Sequence, residues 1–244
     1  MLFSRSLETN QIPEIWKCAN ISPIYKKGKK DDVNNYRPVS LTCILCKILE
    51  SIIRDKVMEH FTINKLFTNR QFGFLKGRST VTQLLQILDD WTEALESGGR
   101  IDVIYTDFEK AFDKVPHRRL LSKLKSYKIH NSIIEWIKNF LSGRKQRVRV
   151  DGEFSSWADV LSGIPQGSIL GPLLFIIFIN DLVDFSENNL KLYLFADDAK
   201  LYRHIKDVSD VDNLQRGIDN FASSARCFIT YGIPLRQVIS WFPN

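Results

Sequence analysis

Apolar residues at Leu45, Ile48, Leu49, Ile52, Ile53 and Val57 recur at helical spacing, which predicts a helix from Leu45 to about His60. A second helix is predicted from a cap at Ser79 or Thr80 to the stop at Gly98-Gly99, burying a face of Val81, Leu84, Leu85, Leu88, Trp91 and Leu95. Elsewhere the period changes. "NISPIYKKGKKDDVNNYRPVSL" reads as a strand, a basic turn, an Asn-rich loop and a second extended segment held by Arg37-Pro38. "IDVIYTDF" is a short apolar strand that ends at an aspartate, Asp107. Pro116 marks a helix start, and two helices should fill residues 117 to 141. Lys145, Arg147 and Arg149 alternate with Val148 and Val150, as in a half-exposed strand with a turn at Asp151-Gly152. That basic face can follow a phosphate backbone or simply protect a sheet edge. "GSILGPLLFIIFINDLVDF" is too long and apolar for a strand and predicts a buried helix beginning near Ser168. "LYLFADDAKLY" predicts a hairpin, followed by a helix near residues 208 to 222.

This order predicts an α+β fold, an antiparallel sheet covered by helices on one face. Asp107 and Asp197 both fall at ends of apolar strands, so neighbouring strands would bring their carboxylates together. Adjacent Asp197 and Asp198 are otherwise only a polar hairpin tip. In a strand they would point to opposite faces unless a tight turn rotates one, which makes Asp197 the expected main ligand and Asp198 the peripheral one.

Composition narrows the chemistry. With 244 residues, 44% of them hydrophobic, the chain can bury a substantial core, which argues against disorder. The 34 Lys and Arg against 28 Asp and Glu leave a net charge of +6, which suits a polyanionic partner without requiring one. Neither a secretion leader nor an apolar run of the roughly 18 residues needed for a membrane span is visible, so the expectation is a soluble intracellular protein. Cys43 and Cys46 form a lone CxxC without further zinc ligands nearby, and are expected to be small buried thiols on one helix face. Three aspartates within about 4 Å repel by roughly 4 kcal/mol per pair at an effective dielectric near 20, so a cation or protons must accompany them. Oxygen-only donors point to Mg²⁺ or Mn²⁺ rather than zinc, and two such ions serve in-line phosphoryl displacement.

"PEIWKCANISPIYKKGKK", "NYRPVSLTCILCKILE", "QFGFLKGRSTVTQLL", "YTDFEKAFDKVPH", "SGIPQGSILGPLLFIIFINDL" and "LYLFADDAKLY", in this order, resemble the reverse transcriptase domain of non-LTR, LINE-type retrotransposons. The resemblance covers about residues 10 to 221. It implies a right-hand polymerase fold, with fingers over 1–100 and a palm over 101–221. It further implies an RNA template, a DNA primer, dNTP substrates, two Mg²⁺ or Mn²⁺ ions and a place in the nucleus or cytoplasm. Asp107, Asp197 and Asp198 match the catalytic, metal-holding aspartates. Phe108 would meet the triphosphate through its main chain, and Phe112 matches the ring that excludes a 2′-hydroxyl. Gln166 and Gly167 match the loop that touches nucleotide and template. Lys26, or equally Lys27, and Arg37 match the finger residues that neutralise the triphosphate. Each has a plainer alternative: a core ring at Phe112, a helix-entry turn at Gln166-Gly167, a solvated turn at the lysines. After about Phe221 the text departs from the family pattern, so residues 222–244 are expected to be an aberrant tail without the family's thumb. A catalytically silent nucleic-acid-binding remnant is therefore the competing reading.

Overall fold

The computed structural model describes residues 2–108, 110–185, 190–228 and 235–241, excluding the side chains of Asp107, Phe185, 224–228 and 235–241. The chain divides into two compact units, Met1–Leu66 with Phe112–Phe175, and Phe67–Ala111 with Ile176–Asn244. These interleave along the sequence.

The first unit opens with two helices that the sequence pattern did not suggest, α1 (Leu2–Thr9) and α2 (Glu14–Lys17). Strands β1 (Cys18–Tyr25) and β2 (Tyr36–Leu41) then form the expected antiparallel hairpin, in which Tyr25 faces Tyr36 and Ile24 faces Arg37. Helix α3 (Ile44–Ile63) buries Cys46, Leu49, Ile53, Val57 and Phe61, while Leu45, Ile48 and Ile52 of the expected face stay exposed. Cys43 is the half-exposed residue before α3, so only Cys46 of the pair is a buried thiol. Helices α5 (His117–Ser126) and α6 (Asn131–Leu141) fill the segment after Pro116, and α6 closes over Trp136, Ile137 and Phe140. Strands β4 (Arg144–Val150), β5 (Glu153–Phe154) and β6 (Ala158–Val160) follow; β4 pairs in parallel with β1 and antiparallel with β5 and β6. The turn between β4 and β5 has positive φ at both Asp151 and Gly152, as a two-residue hairpin requires.

In the second unit, helix α4 (Thr80–Glu96) starts at a reciprocal cap. The Thr82 amide donates to Ser79 Oγ at 3.2 Å, and the Ser79 amide to Thr82 Oγ1 at 2.9 Å. Its buried residues are Gln83 and Ile87; of the face expected from the sequence, Trp91 and Leu95 pack partly buried against the core, whereas Val81, Leu84, Leu85 and Leu88 are exposed. Strand β3 (Arg100–Asp107) lies between β8 (Asp198–Ile205) and β9 (Leu235–Trp241), with β7 (Lys191–Phe195) beyond β8, all antiparallel. Helix α7 (Gly171–Phe178), whose residues up to Phe175 belong to the first unit, begins three residues beyond Ser168, whose hydroxyl accepts from the Gly171 amide at 2.7 Å. A 3₁₀ stretch (Asn180–Phe185) follows it, and α8 (Val208–Phe228) outlasts the helix expected over 208–222.

Both faces of this antiparallel sheet are covered, not one. Ile101, Val103, Tyr193 and Tyr202 share one face and pack with Phe72 and Ile87, the latter from α4. Ile104, Leu192, Leu194 and Leu201, alternate to them, are equally buried on the other. From that second face Arg203 reaches Asp210 of α8 at 2.8 Å.

Candidate active site

Antiparallel pairing of β3 with β8 sets Asp107 directly opposite Asp198, and the β7–β8 pairing sets Asp198 opposite Phe195. Only Ala196 and Asp197 are left to make the turn. Ala196 has φ +53, a left-handed backbone that an L residue rarely adopts, and it is 5% exposed. Asp197 is half-buried within the turn and Asp198 is exposed at the start of β8. The register partner of Asp107 is thus Asp198, the aspartate expected to be peripheral, while Asp197 lies in the turn just before it. The Asp107 side chain lies outside the described residues, and among the described residues no group of three His, Cys, Asp or Glu converges as a metal site. The donor chemistry at this end of the ladder is nonetheless all oxygen, which fits a hard dication.

Phe108 follows β3 and is buried, 2% exposed as a whole residue, with its ring 6.5 Å from the ring of Phe221. Beside Asp198, Tyr105, Thr106, Tyr193, Phe195 and Lys200 help line a cavity of about 370 Å³. Burial lowers the Lys200 ammonium's pKa, and its Nζ lies 5.2 Å from the centre of the Tyr105 ring. Further along the same face, Asp90 binds Lys191 Nζ at 2.6 Å and accepts from the hydroxyls of Tyr193 and Tyr202. Burial pushes the Asp90 carboxyl up, but the hydrogen bonds from Lys191 and Tyr202 and the charge of Lys191 outweigh it and hold the group below its ordinary range. Burial, then Asp90, pushes the Tyr202 hydroxyl strongly up.

The remaining expected site residues belong to the first unit. There Phe112 is half-buried, stacked on Phe175 at 4.5 Å and 23°. Its carbonyl accepts from the Ile164 amide at 2.8 Å, and Gln166 Nε2 donates to Asp113 Oδ1 at 3.0 Å, so two segments 50 residues apart are tied together. The Ser40 amide donates to the Gln166 carbonyl at 2.7 Å, and Gly167, at φ +116, lies so near that a Cβ would sit 2.6 Å from the Ser40 carbonyl oxygen. Phe112, Gln166, Gly167 and the end of β2 thus meet. Glu50, wholly buried on α3, fixes the chain beyond them by accepting from the amides of Ile169 at 2.8 Å and Leu170 at 3.1 Å. Burial and then the charge of Glu50 push the nearby Cys46 thiol far up, leaving it protonated and unreactive. Lys26 and Arg37 are exposed near the turn of the β1–β2 hairpin, as is Lys27.

Sequence reasoning did not single out Ser40, Glu50, Asp113 or Gln71. The last lies in "QFGF", where the sequence offered only family likeness. Its 1% exposure and its bonds to the Asp197 turn become visible only in three dimensions.

A right-hand polymerase fold is what this arrangement of sheets and helices defines: telomerase from Candida tropicalis superposes with a TM-score of 0.68 over 98% of this chain and 44% of its own, at 13% identity. The family described as Reverse transcriptase (RNA-dependent DNA polymerase) matches residues 24–230, and the chain belongs to it. Its relatives include RNA-directed DNA polymerases of the mobile element jockey, 32% identical over 91% of this chain in Drosophila melanogaster and 34% over 91% in Drosophila funebris. The transposon X-element polymerase of Drosophila melanogaster is 30% identical over 93%. These place it with reverse transcriptase domains of LINE-type elements. The chain spans about a quarter of the length of these curated relatives.

Proposed function

We propose that this chain is the polymerising part of an RNA-directed DNA polymerase, which adds deoxynucleotides to a DNA primer 3′ end along an RNA template. The observation that carries it is the register: Asp107 and Asp198 are direct partners across one ladder, and Asp197 occupies the turn that joins Asp198 to the next strand. Such a concentration of carboxylates is electrostatically unfavourable by itself and favours a divalent ion. Asp107, Asp197 and Asp198 would hold Mg²⁺, or Mn²⁺, and two such ions supply activation of the primer hydroxyl and neutralisation of the leaving pyrophosphate.

The chain's own groups do the rest. Lys26 or Lys27 and Arg37 offset the negative charge of the triphosphate, Arg37 as a planar fork. Phe108, next to Asp107 in the chain, would meet a phosphate through its main chain. Phe112 presents a ring already fixed by Phe175 and rejects a 2′-hydroxyl by steric conflict. Gln166 and Gly167, braced by Asp113 and Ser40, meet the nascent base pair. In this reading the first compact unit serves as fingers and the second as palm. The segment 112–175 then goes with the fingers, although the resemblance alone assigned 101–221 to the palm.

Primer extension on an RNA template with Mg²⁺ and dNTPs tests the proposal. The wild-type chain should incorporate nucleotides and Asp197→Ala should not. Equal incorporation by both overturns it, and salt-dependent RNA binding by a wild-type chain that incorporates nothing identifies a silent remnant instead.

A further inference from the structure

Strand β7 is an edge of the second unit's sheet, and its outer side is closed by the segment Arg70–Gly73. Gln71 bridges to Leu194 in parallel, the Leu194 amide donating to the Arg70 carbonyl and the Phe72 amide to the Leu194 carbonyl, both at 2.8 Å. Gln83 Nε2 adds a bond to the same Leu194 carbonyl at 3.1 Å. A parallel ladder would next offer the Phe72 carbonyl to the Ala196 amide. Instead the Gln71 side chain takes that place: its Oε1 accepts from the Ala196 amide at 3.0 Å and from the Gly73 amide at 2.7 Å.

Gly73 follows so closely that a Cβ there would sit 2.4 Å from the Ala196 nitrogen. Arg78 locks the segment from behind, donating to the Thr68 carbonyl at 2.5 Å and the Gln71 carbonyl at 2.6 Å. The fit has a cost, because Gln71 Nε2 is buried and has no partner among the described residues. A fully apolar side chain would avoid that cost but would leave the buried Ala196 amide without an acceptor. A glutamate would accept equally well but would add charge next to two aspartates.

We propose that Gln71 is a positioning residue for the metal site: its side-chain carbonyl pins the left-handed Ala196 peptide and so fixes the direction in which Asp197 and Asp198 leave the turn. This rests on the reading of those aspartates as metal ligands. The turn is held against the backbone preference of alanine, so loss of the single acceptor allows it to relax while the β7–β8 ladder persists. The effect then falls on cation affinity more than on folding.

Mn²⁺ binding, read by electron paramagnetic resonance without nucleotide or template, and amide hydrogen exchange at Ala196 test this. Gln71→Met should bind Mn²⁺ about tenfold more weakly, as loss of an outer-shell partner does, with a cooperative thermal transition and a fast-exchanging Ala196 amide. Gln71→Glu, which keeps the acceptor, should recover most of the affinity and the protection. Wild-type affinity in a folded Gln71→Met overturns the inference. Should Gln71→Met not fold, Ala196 protection in the wild type with near-normal Mn²⁺ affinity in Gln71→Glu supports it, and an unprotected wild-type Ala196 amide overturns it. Asp197→Ala is the control: if it leaves Mn²⁺ affinity intact, the aspartate reading itself fails, whereas loss in Asp197→Ala beside an unaffected Gln71→Met sinks only the role of Gln71.

Discussion

Phe112 illustrates how a residue's role depends on what fixes it. One ring face is stacked on Phe175, so the side chain is neither loose on the surface nor lost in the core. Replacing it by valine removes the volume that the proposed function sets against a 2′-hydroxyl while leaving an apolar contact for Phe175. Phe112→Val should therefore lower the preference for dNTPs over rNTPs by about tenfold or more, measured as the ratio of kcat/KM values in primer extension. An unchanged ratio would return Phe112 to the core. Asp90 gives a second test at this scale. Its folded pKa lies below the ordinary 3.8, so the unfolded chain takes up the proton first as the solution is acidified. The stability it contributes is complete above pH 3.8 and vanishes as pH falls through the lower, folded value. Unfolding of wild type and Asp90→Asn across pH should accordingly show a stability gap that is widest above that point and closes below it. A gap independent of pH would mean that the Lys191 and tyrosine contacts do not act through the carboxylate's charge.

Elements were legible where one period dominated. The two hairpins, the apolar strand ending at Asp107 and the cap at Ser79 all follow from local alternation or local capping chemistry. Faces were less legible. Helix α4 carries apolar residues around much of its circumference, and the longer stripe through Val81, Leu84, Leu85 and Leu88 is the one left exposed, while Ile87 and the polar Gln83 turn inward. Periodicity identifies a helix but cannot decide between two apolar stripes; the long-range bond of Gln83 to Leu194 does. The stability consequence is direct. Ile87→Ala should cost about 2–5 kcal/mol in denaturant unfolding. Leu84→Ser should change stability by no more than about 0.5 kcal/mol. Comparable losses at both positions would restore the stripe expected from sequence. Strands β6 and β9 were invisible for a related reason: three residues, or a segment with no clear alternation, become strands only because a ladder is there to receive them.

On the scale of the whole molecule, sequence order and compactness diverge. Each unit is assembled from two separated stretches, and the groups that matter within a unit come from opposite ends of that division: Phe112 and Gln166 beside Ser40, Gln71 beside Ala196. The pairing of the strand ends that carry Asp107 and Asp198 was readable because strand ends are local signals. Their supports were not, since Gln71, Glu50 and Asp113 are ordinary residues until the fold delivers a backbone amide or side chain to each. The central claim is that Asp107 and Asp197 serve one cation site. Mn²⁺ affinities of Asp107→Ala, Asp197→Ala and the double variant test it most directly, because groups that act as a unit lose their effects non-additively. A double variant scarcely weaker than either single one is the predicted result. Losses that simply add, or a single substitution without effect, would contradict a shared site.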